Sequence, residues 1–527
     1  MQKFTFNRQL TGLFTEQQNL LAYEQDQLLQ FLGHAFSKVN FEKQIADKSK
    51  NYSPELRSNL VHELEKAYGV HASSEVRNNL ELLKKEETYT ITTGHQLNIF
   101  TGPIYFIYKI LHVIRLTEEL NKEYPENHFV PVFWMASEDH DLDEIRSVNV
   151  FGKELTWQTI QEGPVGRMDC TDLSVLKEEL NSFFSNHPDS EVTDLLNKYS
   201  GKNLAEATFN LVNALFASYG LLILDGDNPT FKKSFLPYME RELLEEFSHN
   251  EVQKTNERIV KEGFKTQVNP RDINLFYLSE QSRNRILKNE NGYFIEGLGN
   301  LSSEKLFQLL HDQPESFSPN VILRPLYQEV ILPNLCYVGG VGELTYWMQL
   351  KGVFEHAGIT YPMIQARTSM LWIDAGTAKK MEKNGLLLEY LFEDLVQLKK
   401  RFLNEIASDE INFDELNQHL EQLKVTIYSK INQVDTGLQK YAEAELVRLD
   451  KQIESVKEKL TRSVKQQHET LIRSIDQISE KLFPGGGLQE RSLNLFTMCP
   501  DGKVFDRIAQ LYKSTNPFDP DFVILQE

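Results

Sequence analysis

The stretch Tyr89-Thr90-Ile91-Thr92-Thr93-Gly94-His95-Gln96, followed by Thr101-Gly102-Pro103, decides the fold. The β-branched run 89–93 predicts a strand that breaks at Gly94. An apolar helix from Ile104 to about Leu120 is expected next. A second strand follows, Phe129-Val130-Pro131-Val132-Phe133-Trp134-Met135, and ends in Ser137-Glu138-Asp139-His140-Asp141. Strand, crossover helix and strand form a βαβ unit with parallel strands. Both groups of reactive residues fall just past strand ends, the edge of an open α/β sheet where ligands bind.

Working outward, the same sheet is expected to continue. Leu221-Leu222-Ile223-Leu224-Asp225 reads as a buried parallel strand, as do Val321 to Pro325, Leu335 to Gly340 and Tyr361 to Ala366. This places an α/β core at 88–375, with insertions at about 151–217 and 263–315. Residues 1–87 read as a helical lead-in: Leu28, Phe31, Leu32 and Ala35 form one stripe, Leu56, Leu60, Val61 and Leu64 another. Ser53-Pro54 marks a helix start.

From about 376 to 483 the apolar spacing becomes that of a coiled coil. Leu388, Leu391, Leu395, Leu398 and Phe402 form one seam, Leu416 to Ile427 a second, and Ala442 to Leu460 a third. From Val464 the steps lengthen toward an eleven-residue repeat, and Asp435-Thr436-Gly437 reads as the tip of an antiparallel hairpin. A homodimer through this arm is expected. Residues 484–527 open with Pro484-Gly485-Gly486-Gly487 and are expected to return to the core.

Composition narrows the classes. At 527 residues, with 40% hydrophobic and 25% charged residues, the chain is an ordinary soluble one of several domains. A net charge of −20 argues against nucleic-acid binding. No run is long and apolar enough to span a membrane, and no signal peptide is expected. Cys170, Cys336 and Cys499 form no CxxC pair, so neither a thiolate zinc site nor a disulfide framework is expected, and a reducing cytoplasm fits.

Three clusters carry candidate chemistry. In the first, Thr93, Gly94, His95 and Gln96 could present donors to a phosphate, or His95 could brace the turn. Thr101 and Gly102 could cap the helix or meet the ligand, and Lys109 could snorkel or point into the cleft. In the second, Glu138, Asp139, His140 and Asp141 could bind Mg²⁺ or Zn²⁺, hold an ammonium group, act as a base, or cap a helix, and ammonium or hydroxyl recognition is expected rather than a tight metal site. In the third, Arg324, after a buried strand, could clamp an anion or pair with Asp225. It stands with Gln328, Gly339, Gly340 and Glu343, and Arg367 and Ser369 could reach the same cleft.

TGHQLNIFTGPIYFIYK (93–109), FWMASEDHDLDEI (133–145), ILRPLYQEVILP (322–333), YVGGVGELTYW (337–347), LFPGGGLQER (482–491) and PFDPDFVIL (517–525) together resemble the BshC family, cysteine ligases of bacillithiol biosynthesis. The resemblance covers nearly the whole chain. It implies a Rossmann-like core related to nucleotidyltransferases and class I aminoacyl-tRNA synthetases, connecting-peptide insertions and a coiled-coil dimerisation arm. It also implies ATP, with Mg²⁺, activating the carboxylate of cysteine for attack by the amine of glucosaminyl malate. Thr93 to Gln96 then stand where a synthetase HIGH element would. No KMSKS loop is evident, which leaves Lys109, Arg324 and Arg367 as candidates to neutralise the leaving group. Glu138 to Asp141 are expected to hold the amines, and backbone N–H groups near Gly94 and Gly340 to stabilise the activated acyl group. Two other readings stay open: a metal-dependent hydrolase using the acids of 138–143, and a non-catalytic nucleotide-binding scaffold.

Overall fold

The computed structural model describes residues 1–7, 28–290, 292–410, 413–519 and 521–527. Two compact units emerge: Met1–Trp372 with Glu490–Leu525, and Ile373–Gln489 with Gln526–Glu527.

The first unit is built on five parallel strands. β1 (Thr88–His95) leads through helix α1 (Tyr105–Glu123) into β2 (His128–Met135). α2 (Leu204–Phe216) precedes β3 (Leu222–Asp225), and α3 (Pro229–Glu245) follows it. α4 (Arg324–Ile331) precedes β4 (Asn334–Gly339), α5 (Val341–Met348) follows it, and β5 (Met363–Ala366) closes the set. The spatial order is β5-β4-β1-β2-β3, every pair parallel. The chain therefore steps outward from β1 to one edge, then returns to fill the other side. The gap between the carboxyl ends of β1 and β4 is the point where such a sheet binds ligands.

The residues explain the pairing. β1 is buried along its length from Thr88 to Thr93, and its threonines spend their hydroxyls inside the sheet. Thr92 donates to Asn334 at 2.9 Å and Thr93 to the Val338 carbonyl at 2.7 Å, tying β1 to β4. α1 is buried on most of its circumference, so it reads as continuous apolar sequence rather than one stripe.

Several expectations need correction. Val321-Ile322-Leu323 is a turn, and Arg324 opens α4 instead of following a strand. The Asn320 carboxamide accepts from Ile322 N–H at 2.8 Å, and Pro325 suits a first helical turn. A short apolar run cannot separate strand from buried turn by periodicity. The lead-in is not helical throughout. Gln2–Phe6 is a strand at the edge of a three-stranded sheet, and Leu29–Phe31 is a single 3-10 turn. The second stripe does form a helix, Pro54–Tyr68, capped by Ser53. Residues 8–27 of the lead-in lie outside the described residues. The stretch 263–315 holds an antiparallel meander, Leu275–Leu278, Arg283–Asn289, Gly292–Ile295 and Gly299–Leu301.

The second unit contains α6 (Leu395–Glu410), α7 (Asp414–Val434), α8 (Gln439–Gln467) and α9 (Glu469–Leu482). α7 and α8 run antiparallel about a tip at Thr436–Leu438. Lys424 meets Asp450 at 2.9 Å near the tip, and Lys457 meets Asn417 at 2.7 Å further along. Residues 411–412 lie outside the described residues. Leu388–Phe392 winds as a 3-10 helix instead of joining the first seam, and the helix breaks at His468 instead of relaxing through it. No apolar residue lies between Val464 and Leu471, so no seam holds the chain helical there.

Candidate functional site at the switch point

A cleft of about 1210 Å³ opens at the carboxyl ends of β1 and β4. Its wall includes Gly94, His95, Gln96, Lys109, Asp139, Arg324, Gln328, Gly340, Glu343 and Arg367, residues brought together from six separate segments. Eight basic side chains line it (Lys109, Arg271, Arg283, Arg285, Lys288, Arg324, Arg367, Arg491) against four acidic ones (Asp139, Glu144, Asp272, Glu343). In a chain of net charge −20, this is a locally positive hollow.

Asp139 is the hub of one wall. Its carboxylate accepts from Arg324 Nη1 and Arg283 Nη1, each at 3.2 Å, and from the His140 N–H at 2.9 Å. Burial alone would raise its pKa. The Arg324 charge, the His140 contact and the Arg283 charge outweigh burial and hold the carboxyl far below the usual carboxylate range. Arg283 also donates to Ser318 and to the Pro319 carbonyl, and burial with the Arg324 charge pushes its pKa down to about 10. Asp139 is therefore a fixed anion that sets two guanidinium groups side by side, and a poor proton acceptor.

The opposite wall rests on Lys109 and Glu343. Lys109 Nζ lies 2.5 Å from Glu343 and donates to the Gly94 carbonyl at 3.0 Å. Glu343 also accepts from the Tyr337 hydroxyl and the Gly340 N–H, both at 2.7 Å. Burial works to raise Glu343, and the Lys109 charge with these bonds holds it below its ordinary value. The Gly340 N–H is thus spent on capping α5, which removes it from the donors expected to meet a ligand.

His95 stacks on Phe106 at 5.2 Å and meets the Tyr105 ring edge at 5.1 Å, and its Nε2 is buried without a hydrogen-bond partner. Burial, then the Lys109 and Arg367 charges, push its pKa well below the ordinary value, so the ring is neutral at physiological pH. Arg367 donates to Glu490 at 2.6 Å and lies 5.2 Å from the Tyr105 ring centre.

Other expected site residues sit elsewhere. Thr93 is tied into the sheet, and Ser369 donates to buried Glu490. Gly339 packs against the Tyr337 ring and Glu343. Thr101 and Gly102 belong to a buried left-handed turn, with φ of 50° at Phe100, 70° at Thr101 and 57° at Gly102. A Cβ at Gly102 would lie 2.4 Å from the Asn98 Cβ, so glycine is required there. Asn494 clamps this turn, donating to the Phe100 and Gly102 carbonyls at 2.9 and 2.7 Å. The acidic cluster does not converge. Glu138 is buried 3.2 Å from Lys232 of α3, Asp141 caps the short helix Leu142–Ile145, and His140 is half-exposed behind Arg283. Asp225 does not pair with Arg324; it accepts from Ser137 and the Asp227 N–H.

Sequence reasoning missed Arg283, Tyr105, Tyr337 and Arg491. Arg283 lay in a segment read as insertion, and Arg491 lay in the quoted motif 482–491 without a role.

Burial and the Asp227 charge push Asp225 up to about 6. A raised carboxyl stabilises the fold fully below about pH 4, and that contribution is lost as pH rises through 6. Asp225→Asn is expected to remove this slope, worth about 3 kcal/mol over that interval, in urea unfolding at pH 4 and pH 7.

The sheet order and the charged cleft at its switch point define a Rossmann-like enzyme core. Two family models match the chain. "Bacillithiol biosynthesis BshC, N-terminal Rossmann-like domain" covers residues 11–368, and "Bacillithiol biosynthesis BshC, C-terminal coiled-coil domain" covers 370–527. A relative from Flavobacterium johnsoniae is 39% identical over 98% of this chain and 98% of its own. Relatives from Christiangramia forsetii (36%, covering 93% of each chain) and Flavobacterium psychrophilum (38%, covering 86% of each) share its name, "Putative cysteine ligase BshC". The chain belongs to the BshC family, ligases of bacillithiol biosynthesis.

Proposed function

We propose that the protein joins the carboxylate of cysteine to the amino group of glucosaminyl malate, at the expense of ATP, to give bacillithiol. The observation that carries this reading is the positive cleft at the switch point of an acidic chain. Every partner in the reaction bears phosphate or carboxylate groups, and Arg283 and Arg324, both bonded to Asp139, suit such oxyanions. The volume, about 1210 Å³, exceeds what one small ligand needs and leaves room for nucleotide and acceptor together.

Among the described residues no three His, Cys, Asp or Glu side chains are grouped to hold a metal. Mg²⁺ then enters with the ATP phosphates, the usual mode for that ion. The same divergence of Glu138, Asp139 and Asp141 takes the ligand set away from the metal-hydrolase reading. His95 serves as a neutral hydrogen-bond donor, and Lys109 keeps the Gly94 carbonyl in place. Leu416, Leu423, Val456 and Leu460 of the hairpin stay 37–49% exposed, an apolar stripe that a second copy would cover in a homodimer. Three buried cysteines without disulfides accord with a cytoplasmic enzyme. No helix among the described residues is long and apolar enough to cross a membrane.

The test is incubation with ATP, Mg²⁺, cysteine and glucosaminyl malate, with products followed by mass. Bacillithiol with AMP supports activation through an adenylate; ADP points to an acyl phosphate. An inert, folded dimer would return the protein to the scaffold reading. His95→Gln is expected to keep activity within about tenfold, because a glutamine preserves a neutral donor. The pH–rate profile of the wild type should lack a step of His95 between pH 6 and 8.

A further inference from the structure

On the sheet side of the cleft, most positive charges are already engaged. Lys109 is held by Glu343, Arg283 and Arg324 share Asp139, and Arg367 donates to Glu490. Arg491 is different. It is exposed, it lines the cleft, and among the described residues no carboxylate or carbonyl holds it. Its charge acts on the Tyr105 hydroxyl, and the Arg367 guanidinium lies 5.2 Å from the centre of the same ring.

The residue before it explains its placement. Glu490 is fully buried. Its carboxylate accepts from Arg367 Nη2 at 2.6 Å, from the Ser369 hydroxyl at 3.2 Å and from the Met370 N–H at 3.2 Å. A buried carboxylate is costly unless its lone pairs are met, and here three donors meet them. The result is a rigid joint. It fixes the Arg367 guanidinium against Tyr105 and fixes the backbone from which Arg491 springs.

We infer that Arg367 and Arg491 form an anion clamp at the switch point, positioned by Glu490, and that it takes the phosphate chain of the nucleoside triphosphate. This rests on the ATP-dependent ligase reading. The uncommitted fork of Arg491 matches the oxygens of a phosphate better than an ammonium group would, and Arg367, whose Nη atoms donate to Glu490, Thr368 and Ser369, adds its charge and its remaining N–H groups. The neutral His95 ring, 5.1 Å from the Tyr105 ring in an edge contact, adds a donor without adding charge. The clamp fills the role that no KMSKS-like segment provides in this chain. Arg367 and Arg491 touch the ligand; Glu490 is a positioning residue.

The experiment uses the full-length protein and inorganic pyrophosphate with Mg²⁺, read by titration calorimetry, beside steady-state ligation. Arg491→Ala is expected to weaken pyrophosphate binding at least about tenfold, with Arg491→Lys recovering part of the loss. Glu490→Gln should lower kcat while leaving the KM for cysteine in place, a split that general destabilisation would not give. Arg285→Ala, on the strand Arg283–Asn289 that also lines the cleft, should weaken pyrophosphate less than Arg491→Ala. Unchanged affinity in Arg491→Ala, equal losses in Arg285→Ala and Arg491→Ala, or a wild type that binds no pyrophosphate would each overturn the clamp. If Glu490→Gln does not fold, the exposed Arg491 still decides the matter. A wild type that binds pyrophosphate but makes no thiol product sinks the ligase reading and leaves the clamp standing.

Discussion

Lys109→Met is expected to cost about 3 kcal/mol of stability and to abolish activity, because it strands Glu343 beside the cleft without its counter-charge. The lysine side chain is 3% exposed and Glu343 is 25% exposed, so water can repay only part of the lost pairing. The variant also removes the donor to the Gly94 carbonyl at the end of β1. The effect must depend on pH with a definite sign. In the wild type Glu343 is held below its ordinary value, so it stabilises the fold above about pH 4 and loses that effect on acidification. Without Lys109, burial raises Glu343 instead, and its contribution falls as pH rises past 4. The gap between wild type and variant should therefore be small at pH 4 and widest near pH 7. The double variant Lys109→Met/Glu343→Gln should recover much of the stability and none of the activity. Urea unfolding at both pH values measures all three; a loss independent of pH would contradict the ion-pair account.

The second large effect is catalytic. Arg324→Ala is expected to lower kcat/KM about 10²–10³-fold, the usual consequence of losing one fixed donor to developing negative charge. Its effect on folding should be modest, because Asp139 keeps Arg283 at 3.2 Å and Gln96 at 3.5 Å. Arg324→Lys should restore only part of the rate, since an ammonium lacks the planar fork. Asp139→Asn makes the complementary case: both guanidinium groups remain, but the charge that holds them together does not. It should lose activity with little loss of nucleotide affinity. A rate for Arg324→Ala within about threefold of the wild type would remove Arg324 from the chemistry altogether.

Arg324 also shows what could and could not be read from the sequence. Its arrival at the cleft was legible, yet its element was not. Val321-Ile322-Leu323 is as apolar as a strand, and only the Asn320 carboxamide turns it. The βαβ unit at 88–135 was legible because β-branched and apolar runs there match the sheet on both faces. The acidic cluster misled for a geometric reason. Past the end of a strand, neighbouring side chains diverge, so Glu138 turns inward to Lys232 while Asp139 faces the arginines. The spacing of Gly340 and Glu343 is that of a capping box, and this was the signal that the Gly340 N–H was already committed. Arg283 stands 144 residues from Asp139, and no local pattern joins residues that far apart.

The clamp of Asn494 on the turn at Phe100 and Gly102 sets a timetable for the nascent chain. Strands β1 to β5 have all been synthesised by residue 366, and they can pair as they emerge. The two carbonyls of the turn stay with water until the polypeptide has been extended by well over a hundred further residues. Translation thus delivers the sheet early and the brace of this buried turn late. A chain stalled inside the hairpin arm would hold an assembled sheet whose turn before α1 has no clamp.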